Sequence, residues 1–206
     1  AISACEKGAA WQQALSLLAE MRQGACELDV ITYSAAISAC EKGTEWQQAL
    51  CLLVDMQRHR FELSVITCNA AIGAFEQGKR PDWAIYVFET MLCRRLSPDA
   101  ITYNALISAC EKGRLWKEAC WLLRRMQEQG LKPDMITCSA AVRACSKCGR
   151  PDRALELFEG MQEHACRPDV IACSAAVSAC VAGERPNWAL KLLDSIQWQM
   201  CKVKSV

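Results

Sequence analysis

The sequence repeats itself every 35 residues, and this period limits the possible folds more than any other feature. Five cysteines and five methionines keep the step without any insertion or deletion: Cys5, Cys40, Cys110, Cys145 and Cys180, with Phe75 at the missing position, and Met21, Met56, Met91, Met126 and Met161. A strict period between about 20 and 50 residues is typical of solenoid proteins, in which each repeat packs against its neighbours.

Each period contains two stretches with the apolar spacing of an amphipathic helix. The residues concerned in one period are Tyr33, Ala36, Ile37 and Cys40, followed by Trp46, Ala49, Leu50, Leu53 and Met56. Gly43 between them predicts a helix end, and the Asp of turns such as Pro98-Asp99 predicts a cap on the next helix. Because no stretch alternates with period two, we predict an all-α fold of stacked helical hairpins.

The period divides the chain into a partial repeat, 1–29, and five complete repeats, 30–64, 65–99, 100–134, 135–169 and 170–204. We predict one repeat array over 1–206, with no room for a second domain. The chain opens at Ala1 without a presequence, and neither end has a polar capping helix. We therefore expect a fragment of a longer array.

Composition excludes several classes of protein. The formal net charge is only +1, which excludes a polyelectrolyte tail, and 52% of residues are hydrophobic, which excludes disorder. No apolar run approaches the roughly 18 residues that a membrane span needs. We expect no membrane and no small-molecule substrate as partners.

The fifteen cysteines do not predict a disulfide framework. Equivalent residues of stacked repeats lie about 10 Å apart, which is too far for a disulfide, so we interpret these cysteines as small buried apolar residues. Cys145 and Cys148 form a lone C-x-x-C without a second ligand pair, so we expect no metal and no cofactor. His59 and His164 lie three periods apart, cannot share a catalytic site, and should be at the surface.

Several segments together resemble the pentatricopeptide repeat. They are Asp99-Ala-Ile-Thr-Tyr-Asn-Ala-Leu-Ile107, Cys110-Glu-Lys-Gly113 and Gly130-Leu-Lys-Pro-Asp134, and the resemblance extends over essentially all 206 residues. It implies a right-handed α-α superhelix that binds single-stranded RNA at about one base per repeat. It also implies a role in RNA stability, cleavage, splicing, editing or translation in chloroplasts or mitochondria, together with other RNA-processing proteins.

The resemblance assigns two base-reading residues to each repeat, which we call a reading pair. The pairs are Ser34/Ser64, Asn69/Asp99, Asn104/Asp134, Ser139/Asp169 and Ser174/Lys204. In this family Asn/Asp favours U and Ser/Asp favours G, and the protein runs parallel to its RNA. The three middle pairs therefore imply the core 5′-UUG-3′, while the bases facing Ser34/Ser64 and Ser174/Lys204 stay open.

The resemblance also implies residues that stack on bases and residues that face phosphate. The stacking residues are Ile31, Ile66, Ile101, Ile136 and Ile171, and the phosphate-facing lysines are Lys42, Lys112 and Lys147, with Lys7 in the same register. Simpler roles are open for each group. The aspartates could be helix caps alone, the isoleucines could be packing residues, and the lysines could answer the helix dipole.

An enzyme is not expected from this sequence. The cytidine deaminase-like domain of some family members needs an H-x-E segment, which is absent here, and no chain is left for a nuclease domain. The alternative to an RNA reader is a protein-binding α-solenoid scaffold, which the low net charge favours. The Asn/Asp and Ser/Asp pairs favour RNA, because a peptide groove does not require them.

Overall fold

A computed structural model describes residues 10–24, 28–163 and 170–182 of the chain. These residues form helices of 13 residues each, which we number in chain order. They are α1 Trp11–Gln23, α2 Val30–Lys42, α3 Trp46–Arg58, α4 Val65–Gln77, α5 Pro81–Cys93, α6 Ala100–Lys112, α7 Trp116–Glu128, α8 Met135–Lys147, α9 Pro151–Glu163 and α10 Val170–Ala182.

The helices follow the sequence period without a deviation of one residue. The first helices of the repeats begin at residues 30, 65, 100, 135 and 170, and the second helices begin at residues 11, 46, 81, 116 and 151. The described ranges contain no strand, which confirms the all-α prediction. None of the helices in these ranges is long and apolar enough to cross a bilayer.

The first helices begin at a side-chain cap. Asp29, Ser64 and Asp134 each have an extended backbone, and each accepts a hydrogen bond from the backbone N–H three residues later. Such a cap contributes about 1 kcal/mol and fixes the start of a helix to one residue. In α3 and α7 the residue before the helix forms no side-chain cap, and α5 and α9 begin with Pro81 and Pro151.

The glycines that end α2 and α4 are required by close packing. A Cβ atom at Gly43 would collide with the indole of Trp11, and one at Gly78 would collide with the indole of Trp46. Each tryptophan begins the second helix of the preceding repeat, so the glycine lets the next turn pack directly on its ring. Gly43 was predicted as a helix end, and it is one, with α2 stopping at Lys42.

The chain separates into two compact units, residues 1–109 and 110–206. In the first unit α2 packs on α1, α3 and α4, and α4 packs on α3 and α5. The predicted core residues Tyr33, Ala36, Ile37 and Cys40 are fully buried, as are Ala49 and Met56, while Leu50 is only half-buried. The ring of Phe88 packs at 5.6 Å from that of Tyr103, edge to face.

In the second unit α8 packs on α7, α9 and α10. Its core contains Val142, Cys145 and Phe158, all with no exposed surface. Arg150, at the turn before α9, lies over the ring of Trp116 with its guanidinium carbon 5.1 Å from the ring centroid. Arg80 has the same relation to Trp46 in the first unit, at 4.6 Å, so this cation–π contact recurs two repeats apart.

Candidate nucleic-acid interface

Asn69 and Asp99 lie 30 residues apart in the sequence, and their side chains touch. The Asn69 Nδ2 atom donates to Asp99 Oδ1 at 3.1 Å and to Oδ2 at 3.3 Å. Asn69 projects from the first helix of its repeat and Asp99 closes the same repeat. The all-helical hairpin therefore brings together the two residues that the sequence assigned to one reading pair.

Thr102 completes this group from the first turn of the next helix. Its Oγ1 atom donates to Asn69 Oδ1 at 2.6 Å and lies 2.9 Å from Asp99 Oδ1, while the Thr102 backbone N–H donates to Asp99 Oδ1 at 2.8 Å. Thr102 is fully buried, whereas Asn69 and Asp99 are half-buried. The amide and the carboxylate are thus held from beneath and remain partly open to solvent.

Asp99 is ionised in this environment. Its partial burial raises the pKa, but hydrogen bonds from the backbone and hydroxyl of Thr102 and from Asn69 outweigh the burial and leave the pKa below its usual value. A carboxylate that accepts several hydrogen bonds keeps its negative charge at neutral pH. The Asn69/Asp99 pair therefore presents one amide and one charged acceptor.

The Ser34/Ser64 pair has the same plan with shorter side chains. Thr67 is fully buried, and its Oγ1 lies 2.6 Å from Ser34 Oγ and 2.8 Å from Ser64 Oγ. Ser34 Oγ also donates to the Val30 carbonyl at 2.7 Å. The two serines of this pair are thus connected through Thr67.

The other reading pairs are described only in part. Asp134 caps α8 and is exposed, and its predicted partner Asn104 belongs to the other compact unit, so that pairing stays a prediction. Ser139 is only 1% exposed, unlike the half-buried Ser34 and Asn69 at the equivalent positions. Ser174 lies exposed on α10. Asp169 and Lys204 lie outside the described residues.

The isoleucines assigned to base stacking are exposed. Their exposed fractions are 71% for Ile31, 73% for Ile66, and 65% for both Ile101 and Ile136. Core packing, the simpler role considered for them, is therefore wrong for these four residues. The side chain of Ile171 lies outside the described residues. A large apolar residue repeated at the surface every 35 residues marks one continuous type of position on the first helices.

The lysines assigned to phosphate have different surroundings. Lys147 is bound to a carboxylate, since its Nζ atom lies 2.8 Å from Glu111 Oε1, while Arg143 holds Glu111 Oε2 at 2.7 Å. Burial of Glu111 raises its pKa, but hydrogen bonds from these two cations overcome that effect and lower it. Lys42 is exposed and Lys112 is half-buried. Lys7 lies outside the described residues.

The cysteines confirm the buried apolar role at their periodic position. Cys40, Cys110, Cys145 and Cys180 are fully buried, while Cys5 lies outside the described residues. Burial raises the pKa of Cys40 to about 11 and that of Cys110 to about 12, so both thiols stay neutral. The described ranges contain no cluster of three or more His, Cys, Asp or Glu that could hold a metal ion. His59 is exposed, as expected, and His164 lies outside these ranges.

Sequence reasoning missed two contacts between cysteine or threonine side chains and their neighbours. Cys145 does not pair with Cys148; its Sγ lies 3.5 Å from that of Cys120, while Cys148 donates to the Arg114 carbonyl at 3.1 Å. The roles of Thr67 and Thr102 beneath the reading pairs were also missed. Their signal was present in the sequence, because a threonine recurs in the same register at Thr32, Thr67, Thr102 and Thr137.

Comparisons with known proteins place this helical repeat among families. A model described as pentatricopeptide repeat domain matches residues 51–112 and 121–183, and one described as PPR repeat matches residues 31–61 and 101–131. The chain is thus an α-helical repeat protein, and it belongs to the pentatricopeptide repeat family. No curated protein matches it.

Solved structures share the fold. The pentatricopeptide repeat protein PPR10 from maize is 24% identical, with a TM-score of 0.72, over 96% of this chain and 28% of that one. PPR10 in complex with an 18-nt psaJ RNA element gives 20% identity and 0.74, over 94% and 28%. The PPR domain of Arabidopsis thaliana protein-only RNase P 1, in complex with tRNA, gives 17% and 0.71, over 80% and 86%. This chain therefore spans little more than a quarter of the length of PPR10, and its fold is the α-α superhelical class of these proteins.

Proposed function

We propose that this chain binds single-stranded RNA, with about one base per repeat facing each reading pair. The observation that carries the proposal is the contact between Asn69 and Asp99, which joins two predicted reading residues in one half-buried group. An amide with a free N–H and a free lone pair can bind the Watson–Crick edge of a base. The exposed isoleucines supply apolar surface on which the faces of unstacked bases can pack.

The order of the reading pairs along the chain gives the proposed core 5′-UUG-3′, read by Asn69/Asp99, Asn104/Asp134 and Ser139/Asp169. The first of these pairs has the strongest structural support. The third has the weakest, because the buried Ser139 must become accessible before it can touch a base. We expect discrimination to be largest at the first two bases.

The binding should be weak for this chain alone and should depend on salt. Lys147 shares Glu111 with Arg143, so its charge is partly neutralised before any phosphate approaches. Each lost phosphate contact reduces the slope of affinity against salt concentration by about 0.7 for single strands. We propose that Lys42 and Lys112 supply the main contacts to the RNA backbone.

The role in the cell follows from the family and is also a proposal. We propose that the protein acts in a chloroplast or mitochondrion, in RNA processing, stability, editing or translation, alongside other RNA-processing proteins. PPR10 and the PPR domain of protein-only RNase P 1 have both been solved with RNA bound, which supports an RNA partner for this chain. We propose binding without catalysis by residues 1–206.

The test is a titration of the 206-residue chain into fluorescent single-stranded RNA at low salt. One RNA carries a central UUG among adenines, a second carries AAC instead, and a third strand is the DNA version of the first. Tighter binding to UUG, weakened in the Asn104→Ser variant, supports base reading and fixes the register. Equal binding to all three contradicts it, and no binding at all favours the protein-binding scaffold.

A further inference from the structure

We propose that Thr102 is a positioning residue that fixes the orientation of the Asn69 amide, and so determines how well this reading pair distinguishes U from C. This inference rests on the proposed function. It assigns part of one repeat's base specificity to a buried side chain of the next repeat, which does not itself face the base.

The Asn69 amide is held at both of its ends. Its Nδ2 atom donates to the carboxylate of Asp99 at 3.1 and 3.3 Å, and its Oδ1 atom accepts from the hydroxyl of Thr102 at 2.6 Å. The hydroxyl has a single proton, and Asn69 Oδ1 is nearer to it than Asp99 Oδ1, at 2.9 Å. Thr102 also accepts from the Asp99 backbone N–H at 3.2 Å, which fixes the hydroxyl in turn.

These bonds determine which groups are left for a base. One N–H of Nδ2 and one lone pair of Oδ1 are used within the protein, so one donor and one acceptor remain, in a fixed order. A flipped amide would place Oδ1 against the negative carboxylate of Asp99 and leave the Thr102 hydroxyl facing an NH₂ group. Uracil presents an N3–H donor beside carbonyl acceptors, whereas cytosine presents an N3 acceptor beside an amino donor. An amide fixed in one orientation therefore tells the two apart, and a freely rotating amide does not.

The chain contains two natural references for this threonine. Thr32 has the same capping geometry, since its N–H and its hydroxyl bond to Asp29 Oδ1 at 2.7 and 2.6 Å, but it contacts no residue of the five reading pairs in the described ranges. Ala172 occupies the same register at the start of α10 and is fully buried. An alanine is thus compatible with this position of the fold, and Thr32 reports the cost of losing the hydroxyl by itself.

The experiment compares Thr102→Ala, Thr102→Ser and the matched control Thr32→Ala, all in the 206-residue chain. Each is titrated into adenine-flanked RNAs with the cores UUG, CUG and UCG. We expect Thr102→Ala to reduce the preference for UUG over CUG by about fivefold, the effect of one hydrogen bond of about 1 kcal/mol. Thr102→Ser, which keeps the hydroxyl, and Thr32→Ala should stay within about twofold of the unmodified chain. The preference for UUG over UCG should not change in any variant.

The outcomes separate the two proposals. If the unmodified chain binds no RNA, or binds without preference for U, the proposed function and this inference are both wrong. If it prefers U and Thr102→Ala keeps that preference while losing as much stability as Thr32→Ala, only the positioning role is wrong. Far-UV circular dichroism checks folding, and Thr102→Val, which has nearly the same shape, replaces Thr102→Ala if the alanine variant does not fold.

Discussion

The reading pairs Ser34/Ser64 and Asn69/Asp99 lie in adjacent repeats of one compact unit and differ in how their two residues are joined. Both pairs have a fully buried threonine beneath them, and the second residue of each caps the following helix. In the first pair the serines bond to Thr67, and in the second the amide and the carboxylate bond to each other and to Thr102. The scaffold is therefore constant, and side-chain length alone decides whether a reading pair becomes a coupled donor–acceptor group.

The largest effect should come from converting the second pair into the first. The double variant Asn69→Ser/Asp99→Ser keeps a capping side chain at position 99 but removes the amide, the carboxylate and the contact between them. We expect affinity for the UUG RNA to fall by at least about tenfold, because two hydrogen bonds of about 1 kcal/mol each are lost. Fluorescence anisotropy measures the change. An unchanged affinity with an intact thermal transition would show that this pair does not touch the RNA.

The next effect concerns stability at the first pair. Thr67→Val removes the hydroxyl that serves Ser34 and Ser64 and leaves both serines without that partner in a fully or half-buried position. We expect the free energy of unfolding to fall by about 1–2 kcal/mol in urea denaturation. The control is Thr90→Val, whose hydroxyl bonds only to the Tyr86 carbonyl of its own helix at 2.9 Å and should cost less than about 0.5 kcal/mol. Equal losses in both variants would argue against a special role for Thr67.

The reverse conversion should give a smaller gain. Ser34→Asn/Ser64→Asp copies the second pair into the first repeat, where Thr67 already occupies the position of Thr102. We expect about fivefold tighter binding to an RNA with U immediately before the UUG core, relative to C at that base. Four RNAs that differ only at this base provide the measurement. Gain for all four bases alike would indicate added non-specific contact instead of base reading.

The smallest effect is a difference in pH dependence between the two pairs. The pKa of Asp99 is lowered in the folded chain, so its contribution to stability is present above the unfolded value of about 4 and is lost as the pH falls toward the folded value. Asp99→Asn should therefore cost more stability at pH 7 than at pH 3. Ser64→Ala removes a cap without a titratable group, and its cost in urea denaturation should be the same at both pH values. A constant cost for Asp99→Asn would contradict the ionised state of Asp99.

The sequence predicts the helices well because their causes are local. A period of 35 residues, apolar spacing and a capping side chain lie within one repeat, so the start of α2 after Asp29 and its end before Gly43 follow from nearby residues. The reading residues could be assigned by resemblance, and Asn69 and Asp99 do meet. Their contact depends on the closure of a hairpin over 30 residues, which the helical period already implies.

The contacts that the sequence did not predict join different repeats. Lys147 and Glu111 are 36 residues apart, Cys120 and Cys145 are 25 apart, and Thr102 and Asn69 are 33 apart. None of these distances equals the period, so they depend on how one hairpin is rotated and shifted against its neighbour. A pattern of identical spacing gives no information on that rotation. The burial of Ser139 belongs to the same class, because it depends on packing around the side chain and not on residue type.

The position of Thr102 has a consequence for exchanging parts of such arrays. A 35-residue block cut from residue 65 to residue 99 contains Asn69 and Asp99 but leaves behind the hydroxyl that orients them. Transplanted in front of a repeat with alanine at that place, such as the one that carries Ala172, it would keep its two-letter code and lose definition of the base it selects. The natural cassette for recombination or for assembling new arrays therefore ends three residues later, after the threonine of the following helix.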